Sequence, residues 1–390
     1  MSAAVDVVQL TLDLVRTPSV SPDLAAGGGE TAVVDQVAAE LARIGIQPEL
    51  QAVEGNRANV LGVLPGTASG VLVFEAHLDT VPLPTVPCPP RLEGGRVWGR
   101  GACDTKAAVA AMLTALGRLS QDDRPRPTVV FAGVVDEEYV MRGAAALVER
   151  IADVDGIVIG EPTSLRPVRA HNGCVRFEVQ VHGVTAHSSK AFLGRNAIVD
   201  AARLVVTLDE ILGATLLARP HVLTGTGLLT ATEILGGTAP NVVPDSCTVR
   251  FDRRLTPGET TQSALAEVDA VVEGLGTSHG VRATRAEPWL LLPSVEMRND
   301  HPLVSVAEAA CAEVLRAPAP SSGVSYCTDA NVLTGYGRIP SVVVGPGSID
   351  QAHAPMEWVD VEQVRQAVPF YMAIAQRAAG GLRAGRQETQ

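Results

Sequence analysis

Cations are in deficit. The 390 residues carry 43 Asp and Glu against 31 Lys and Arg, a formal charge of −12 at pH 7 and a pI near 5.2. A nucleic-acid binder needs a cationic face, so nucleic acid is excluded as a partner. Long apolar runs are also missing. None reaches the length that spans a bilayer, so no membrane partner is expected. The opening stretch, MSAAVDVVQLTLDLVRTPSVSPD, has no cationic start, and Asp6 and Asp13 interrupt its apolar pattern. That is not a secretory signal. Cysteine is sparse: Cys88, Cys103, Cys174, Cys247, Cys311 and Cys327 form no CxxC pair and no dense spacing. A disulfide framework is excluded, and reduced thiols in a cytoplasmic protein are expected.

What is present suits a soluble globular protein of two domains. The chain is 46% hydrophobic and 19% charged, and its length exceeds one ordinary core. Val5, Val8, Leu12 and Val15 recur at helical spacing up to Pro18, and 31–44 reads as an amphipathic helix. Then a pattern repeats: a short apolar run that suits a strand buried on both faces, followed by charged residues. Val71-Leu72-Val73-Phe74 leads to His77 and Asp79. Gly99-Arg100-Gly101-Ala102-Cys103-Asp104 is a glycine-rich turn ending in an acid, with a helix over 106–119. The run 127–135 ends in Asp136-Glu137-Glu138. Gly156 to Gly160 ends in Glu161-Pro162-Thr163. Open α/β sheets build their sites at the carboxyl ends of their strands. His77 and Asp104 are suitable zinc ligands, and Asp79 lies on the same side of an extended chain as His77, able to accept its other ring N–H. Plainer readings exist: a satisfied His beside an N-capping Asp, and an acidic N-terminus for a helix over 143–150. The convergence of His, Asp and Glu on one sheet edge favours a metal site.

The character changes near residue 174. Val175, Phe177, Val179 and Val181 alternate, so 174–181 reads as a one-sided strand whose exposed edge a partner could extend. A helix over about 195–218, strands near 228–235 and 246–253, a helix near 261–274 and a strand near 281–287 complete a β-α-β-β-α-β unit of ferredoxin-like order. The expected fold is therefore α/β. A catalytic domain (1–173 and 288–378) holds a mainly parallel sheet with helices on both faces, and an α+β domain (174–287) is inserted into it. The α/β pattern resumes with a helix over 303–316, a turn at 326–329, a strand over 341–344 and a helix over 361–377. The tail 379–390 is expected to be disordered. Between the last strand and the last helix, GPGSIDQAHAPMEW is a tight Gly/Pro loop containing His353.

Together HLDTVP, GRGACDTK, DEE, GEPTSLRPVRAHNG, HGVTAHSS, NVVPD and GPGSIDQAH resemble the zinc metallo-aminoacylase and carboxypeptidase family. This family includes acetylornithine deacetylase, succinyl-diaminopimelate desuccinylase and bacterial glutamate carboxypeptidases. The motifs run in order from about residue 5 to 378, and GEPTSLRPVRAH with GPGSIDQAH is most similar to the acetylornithine deacetylase branch. The resemblance implies two Zn²⁺ per chain, with Co²⁺ or Mn²⁺ as substitutes. His77, Asp104 and Glu161 would hold one ion and Asp104, Glu138 and His353 the other. Asp79 would orient His77, and Glu137 would be general base and then acid. It also implies a cis peptide after the bridging Asp104, and a homodimer through the inserted domain. His187 would then cross to the partner's site to stabilise an oxyanion. Asn241, Arg254 and Gly347 match substrate-binding positions. Read alone, His187 with Ser188 and Ser189 is a capped helix start, Arg254 is a strand arginine, and Arg253 competes with Arg254 for the substrate role.

The chain departs from the family's pattern at Ala107-Ala108, at the Pro-rich loop 83–90, and at Asn172, Met356 and Cys327. No ligand or base is lost, while several of these positions lie where substrate would be read. Cys103 and Cys327 read as small buried residues more than as ligands. The expected activity is hydrolysis of a small N-acyl amino acid's amide bond, a deacetylase before a desuccinylase. A metallo-dipeptidase or carboxypeptidase of the same architecture is the first alternative. A non-catalytic binding protein on the same fold is the second.

Overall fold

The computed structural model describes residues 6–26, 28–83, 88–151 and 153–382. The chain start before Asp6 and the tail from 383 lie outside them. The described chain divides into two compact units. One comprises 1–169, 297–322 and 328–390; the other comprises 170–296 and 323–327. No helix among the described residues is long and apolar enough to cross a membrane.

The first unit is built on a sheet whose order begins Pro48–Glu54, Arg57–Leu64, Thr128–Val134, Val71–His77, Gly156–Ile159, Ser341–Val343. The last four are parallel to one another, and the hairpin 48–64 adds an antiparallel edge. The period of two along a strand sorts the faces. Leu72, Phe74 and Ala76 join one apolar cluster with helices Val7–Arg16, Ala107–Leu119, Pro302–Leu315 and Val361–Arg377. Val73, Glu75 and His77 point to the opposite face. Arg142–Arg150 and Ala330–Leu333 pack on each other and lie outside that cluster. Ala107–Leu119 is apolar nearly all round because it is buried nearly all round.

The second unit is built on a five-stranded antiparallel sheet in the order Leu228–Gly236, Ser246–Leu255, Gly173–His182, Ala283–Arg285, with Leu290–Leu292 also pairing Gly173–His182. Helices Ala197–Leu217 and Thr261–His279 cover the face that carries Val175, Phe177, Val179 and Val181. Pairing of Leu290–Leu292 carries this unit beyond residue 287. The helix beginning at Thr261 runs on past Gly274 because its left-handed cap is Gly280, at φ 63°. One expectation is corrected here. The strand starting near 174 is interior to its sheet and offers no edge. The exposed edge is Leu228–Gly236, where Leu228, Ile234 and Leu235 are solvent-facing.

The sheet also separates two adjacent arginines. Arg253 is fully buried; its Nη2 donates to Glu259 Oε1 at 2.5 Å, and Glu259 is itself held by Thr256 N at 2.7 Å. Arg254, one residue on, points to the other face and is partly exposed. Arg253 is therefore a structural ion-pair residue. Arg253→Ala should cost about 3–5 kcal/mol, the usual loss when one partner of a buried pair is removed. Arg254→Ala should cost less than half of that. Denaturant unfolding of the two variants checks this, and equal losses would contradict it.

Candidate metal and catalytic site

The strand Val71–His77 delivers His77 at its carboxyl end, on the face turned away from the helical apolar cluster. Beyond it, Leu78 N still pairs with Val134 O at 2.8 Å, so the chain stays extended through Asp79. The Asp79 carboxylate then accepts the main-chain N–H groups of Glu137 and Glu138, at 3.0 and 3.1 Å. Its role differs from expectation. The His77 ring Nδ1 bonds the Asp79 carbonyl oxygen at 3.0 Å, while the carboxylate stands 3.7 Å away, too far for a hydrogen bond. Asp79 orients His77 through its backbone and anchors the acidic loop through its side chain.

That loop has a second anchor. Asp136 adopts φ 71°, a conformation Asp tolerates better than most residues. Its carboxylate takes Arg57 Nη2 at 2.9 Å and Arg142 Nη1 at 2.9 Å. Arg57 also holds Glu30 and, at 2.9 Å, Asp23. The helix that follows starts only at Arg142, with Met141 as a cap that makes no side-chain bond. The three acids are therefore not its first turn, and Glu137 and Glu138 are free to face the site.

Asp104 is presented by a turn in which Gly101 takes φ 80°. Glu357 holds this turn. Its Oε1 accepts Cys103 N and Asp104 N at 2.9 and 3.1 Å, and its Oε2 pairs with Arg100 Nη1 at 2.6 Å. The Asp104–Thr105 peptide is cis, as the resemblance implied. The two Asp104 oxygens look in different directions. Oδ1 lies 2.9 Å from His77 Nε2, and Oδ2 lies 3.3 Å from His353 Nε2. His77 Nε2 is 3.7 Å from Glu161 Oε1, and His353 Nε2 is 3.0 Å from Glu138 Oε2. The five expected ligands thus form two overlapping groups that share Asp104. Donor atoms of His77, Asp104 and Glu138 all lie within 4.8 Å of one another.

The electrostatics are those of too many acids in one dry place. Burial pushes Glu137 and Glu161 well above the usual carboxylate range and raises Glu138. Burial opposes a charge on His77, but its bond to Asp104 and the charges of Glu161, Asp104 and Glu137 outweigh it and raise the ring well above its ordinary value. Bonds to Asp104 and Glu138 raise His353 to about 10. Asp104 is lowered: burial alone would raise it, and the two imidazoles more than reverse that. Behind the site, Glu75 is pushed by burial to about 8 and hydrogen-bonds Asp329, itself raised well above its ordinary value by burial. Two carboxyls bond each other only when one keeps a proton. Sequence reading missed this pair, although a glutamate inside VLVFEAH was a visible signal. It also missed Arg57 and the roles of Asp136 and Glu357.

The remaining candidates divide. The Gly347 N–H is taken by Gln363 Oε1 at 2.8 Å, and its carbonyl by Ser164 N at 2.6 Å and Ser164 Oγ at 3.3 Å. A Cβ there would meet Cys103 Sγ at 2.5 Å. Gly347 is thus packed closely against Cys103. Cys103 is buried, with its sulfur 3.3 Å from Ser348 O. The second unit holds the others. His187 is exposed on a short ribbon paired with Val242, and Ser188 N donates to Asn241 O at 3.0 Å, so His187 and Asn241 are neighbours. Ser189 N donates to His187 Nδ1 at 3.2 Å, which makes Nδ1 an acceptor and leaves the neutral ring's proton on Nε2. Arg254 gives its Nε to Asp252 at 2.6 Å.

With that geometry established, comparison with known proteins is informative. The family model described as peptidase family M20/M25/M40 matches residues 73–377. An acetylornithine deacetylase from Pectobacterium carotovorum subsp. carotovorum (strain PC1) is 31% identical over 374 residues, covering 92% of this chain and 94% of that protein. Two solved structures share the fold. A tripeptidase from Staphylococcus aureus subsp. aureus mu50 superposes with TM-score 0.80 at 20% identity, over 96% of this chain and 98% of the other. A dinuclear metal-binding peptidase from Bacillus subtilis superposes with TM-score 0.71 at 19% identity, over 95% and 96%. The chain belongs to the peptidase family M20/M25/M40 and is an amide-bond hydrolase of that metal-dependent family.

Proposed function

We propose that the protein is a cytoplasmic di-zinc amidohydrolase that removes a small acyl group from the nitrogen of an amino acid, in the manner of acetylornithine deacetylase. The observation that carries this reading is Asp104, whose two oxygens face two different imidazoles, each with its own glutamate. The donor set fits the group. Two imidazoles and buried carboxylates are what two borderline divalent ions require, and Asp104 is placed to be shared. His77, Asp104 and Glu161 would hold one ion, and Asp104, Glu138 and His353 the other. Such a pair supplies, when bound, polarisation of the acyl carbonyl and acidification of water. The name of the Bacillus subtilis relative supports two ions. The deacetylase at 31% identity supports the acyl amino acid.

The chain's own groups then do the proton work. Of the loop's three acids, Glu138 belongs to the ligand set and Asp136 is taken by Arg57 and Arg142, which leaves Glu137, and burial raises its affinity for a proton. It takes a proton from the attacking water and returns it to the departing amine nitrogen. Nε2–H of His187 is a donor suited to a developing oxyanion. The Arg254 fork suits a substrate carboxylate, with Asn241 beside His187 as a further contact. A homodimer through the second unit is supported by the uncovered edge Leu228–Gly236 and by Ile198, Val199, Val206 and Ile211 exposed on the helix Ala197–Leu217. In that dimer His187 serves the partner's site.

Three outcomes test the reading. Glu137→Gln should keep its full metal content, by elemental analysis, while kcat falls by roughly 10² or more, as for loss of a general base. Glu138→Gln should lose metal instead, and the reverse pattern would exchange the two roles. Hydrolysis screened over N-acetyl, N-formyl, N-succinyl and dipeptide substrates should favour N-acetyl amino acids with a free α-carboxylate. Equal turnover of a substrate and its α-amide would remove Arg254 from its role, and preference for dipeptides would make the enzyme a peptidase. Mixing inactive His187→Ala and Glu137→Gln chains should restore up to about a quarter of wild-type activity under random exchange, because one site of a mixed C₂ dimer has both groups. No recovery after verified subunit exchange would confine His187 to its own chain or to no catalytic role.

A further inference from the structure

Cys174, Arg176, Asp252, Arg254 and Cys327 form one cluster in the second unit. Across the paired strands Arg254 stands opposite Cys174, and Asp252 opposite Arg176. Asp252 accepts Arg254 Nε at 2.6 Å and Arg176 Nε at 3.0 Å. Arg254 Nη1 reaches Cys327 Sγ at 3.5 Å. The side chains of Cys174 and Cys327 are in contact; Cys174 Sγ also lies 3.5 Å from Asp252 Oδ2, and Cys327 Sγ donates to Asn172 O at 3.4 Å. Two guanidiniums share a single carboxylate here, so the cluster has a surplus positive charge unless a thiol ionises. Such a surplus favours thiolate. The bond from Cys327 lowers the Cys174 thiol below its ordinary value, in spite of its burial.

The other cysteines contrast with this pair. Burial pushes the thiols of Cys103 and Cys247 up, and that of Cys311 to about 12. Cys88, half-buried, is the competing accessible thiol, with Arg91 Nη1 3.9 Å from its sulfur. Cys327 is half-exposed and Cys174 buried, an arrangement in which one sulfur meets an oxidant and the other resolves the product.

We propose that Cys174 and Cys327 are a modification site, a dithiol pair that hydroperoxides close to an intramolecular disulfide. The Cys327 thiolate attacks the peroxide O–O bond, giving a sulfenic acid and releasing the alkoxide, or hydroxide from hydrogen peroxide, which takes up a proton. The Cys174 thiolate then attacks the Cys327 sulfur, forming the S–S bond and expelling hydroxide, which is protonated to water. In sum, two thiols and one hydroperoxide give one disulfide, one alcohol and one water when the oxidant is organic, or two waters when it is hydrogen peroxide. The disulfide no longer offers Arg254 a thiolate, so the guanidinium's only charged acceptor in the cluster becomes Asp252. The chemistry stands without the functional reading, whereas its effect on catalysis rests on Arg254 holding the substrate carboxylate.

The test treats the full chain with hydrogen peroxide in a Cys88→Ser background, then counts thiols after denaturing quench and maps peptides by mass spectrometry. Five thiols should fall to three, with a Cys174–Cys327 linked peptide that dithiothreitol removes. Cys327→Ser and Cys327→Ala, each placed in the same background and checked for folding by thermal unfolding, should each keep all four of their remaining thiols. Recovery of Cys327 as sulfinic acid, linkage between chains, or an unchanged thiol count at a dose that oxidises free cysteine would overturn the proposal. KM for an N-acetyl amino acid, measured on the linked protein, separates the two readings. A changed KM supports Arg254 as a substrate contact. An unchanged KM with the disulfide present removes Arg254 from that role and leaves the dithiol site standing.

Discussion

The structure depends on a charge that has to be answered. Asp104, Glu137, Glu138 and Glu161 are gathered at the carboxyl ends of parallel strands, Asp104 and Glu161 buried and Glu137 and Glu138 half-buried, and all four desolvated. In low dielectric these groups cannot all be ionised without cations among them. Without cations, burial raises the proton affinity of the three glutamates, and Asp104 pairs between the two imidazoles. Four carboxylates against two neutral imidazoles match the charge of two divalent ions. Exchange of protons for metal therefore relieves the strain that burial imposes, and it makes metal binding release protons.

Holding such a cluster together needs more than its ligands. Each loop is fixed by a partner that never enters the site. Asp79 ties the acidic loop by its amides, and Arg57 with Arg142 ties it through Asp136. Glu357 ties the turn of Asp104, and Arg100 neutralises Glu357. This is the support that metal ligands ordinarily require to keep their orientation. It explains why so much buried charge in this unit lies one residue away from the chemistry.

The sequence made some of this legible and hid the rest for physical reasons. His77, Asp104, Glu161 and His353 could be found because each follows an apolar strand or sits in a Gly-rich turn, and a buried parallel strand is readable locally. Glu357 could not be assigned a role, because its partners Cys103 and Asp104 lie about 250 residues earlier and no local pattern carries that contact. The hairpin 48–64 was not read because its outer strand, PELQAVE, is mostly solvent-facing and carries no apolar alternation. The edge of the second unit was misplaced because alternation reports that one face is buried, not whether a strand has neighbours on both sides. Arg253 and Arg254 looked equivalent until the pleat placed one in the core beside Glu259 and the other against Asp252 and the thiols.

The same bookkeeping of charge bears on substrate choice. In the proposed two-ion reading, the ions would balance the four carboxylates and leave the first unit's acids no surplus positive charge for an anionic substrate group. In the second unit, Arg176 and Arg254 share only Asp252, which leaves a cationic excess. A carboxylate-bearing substrate needs such an excess, and a guanidinium with a directed fork is the group that selects it over an amide. The thiols beside Arg254 adjust that excess, since a thiolate cancels it and a disulfide cannot. In the proposed reading, specificity would therefore depend on how many negative charges surround Arg254, and the metal ligands would have little part in choosing what is hydrolysed.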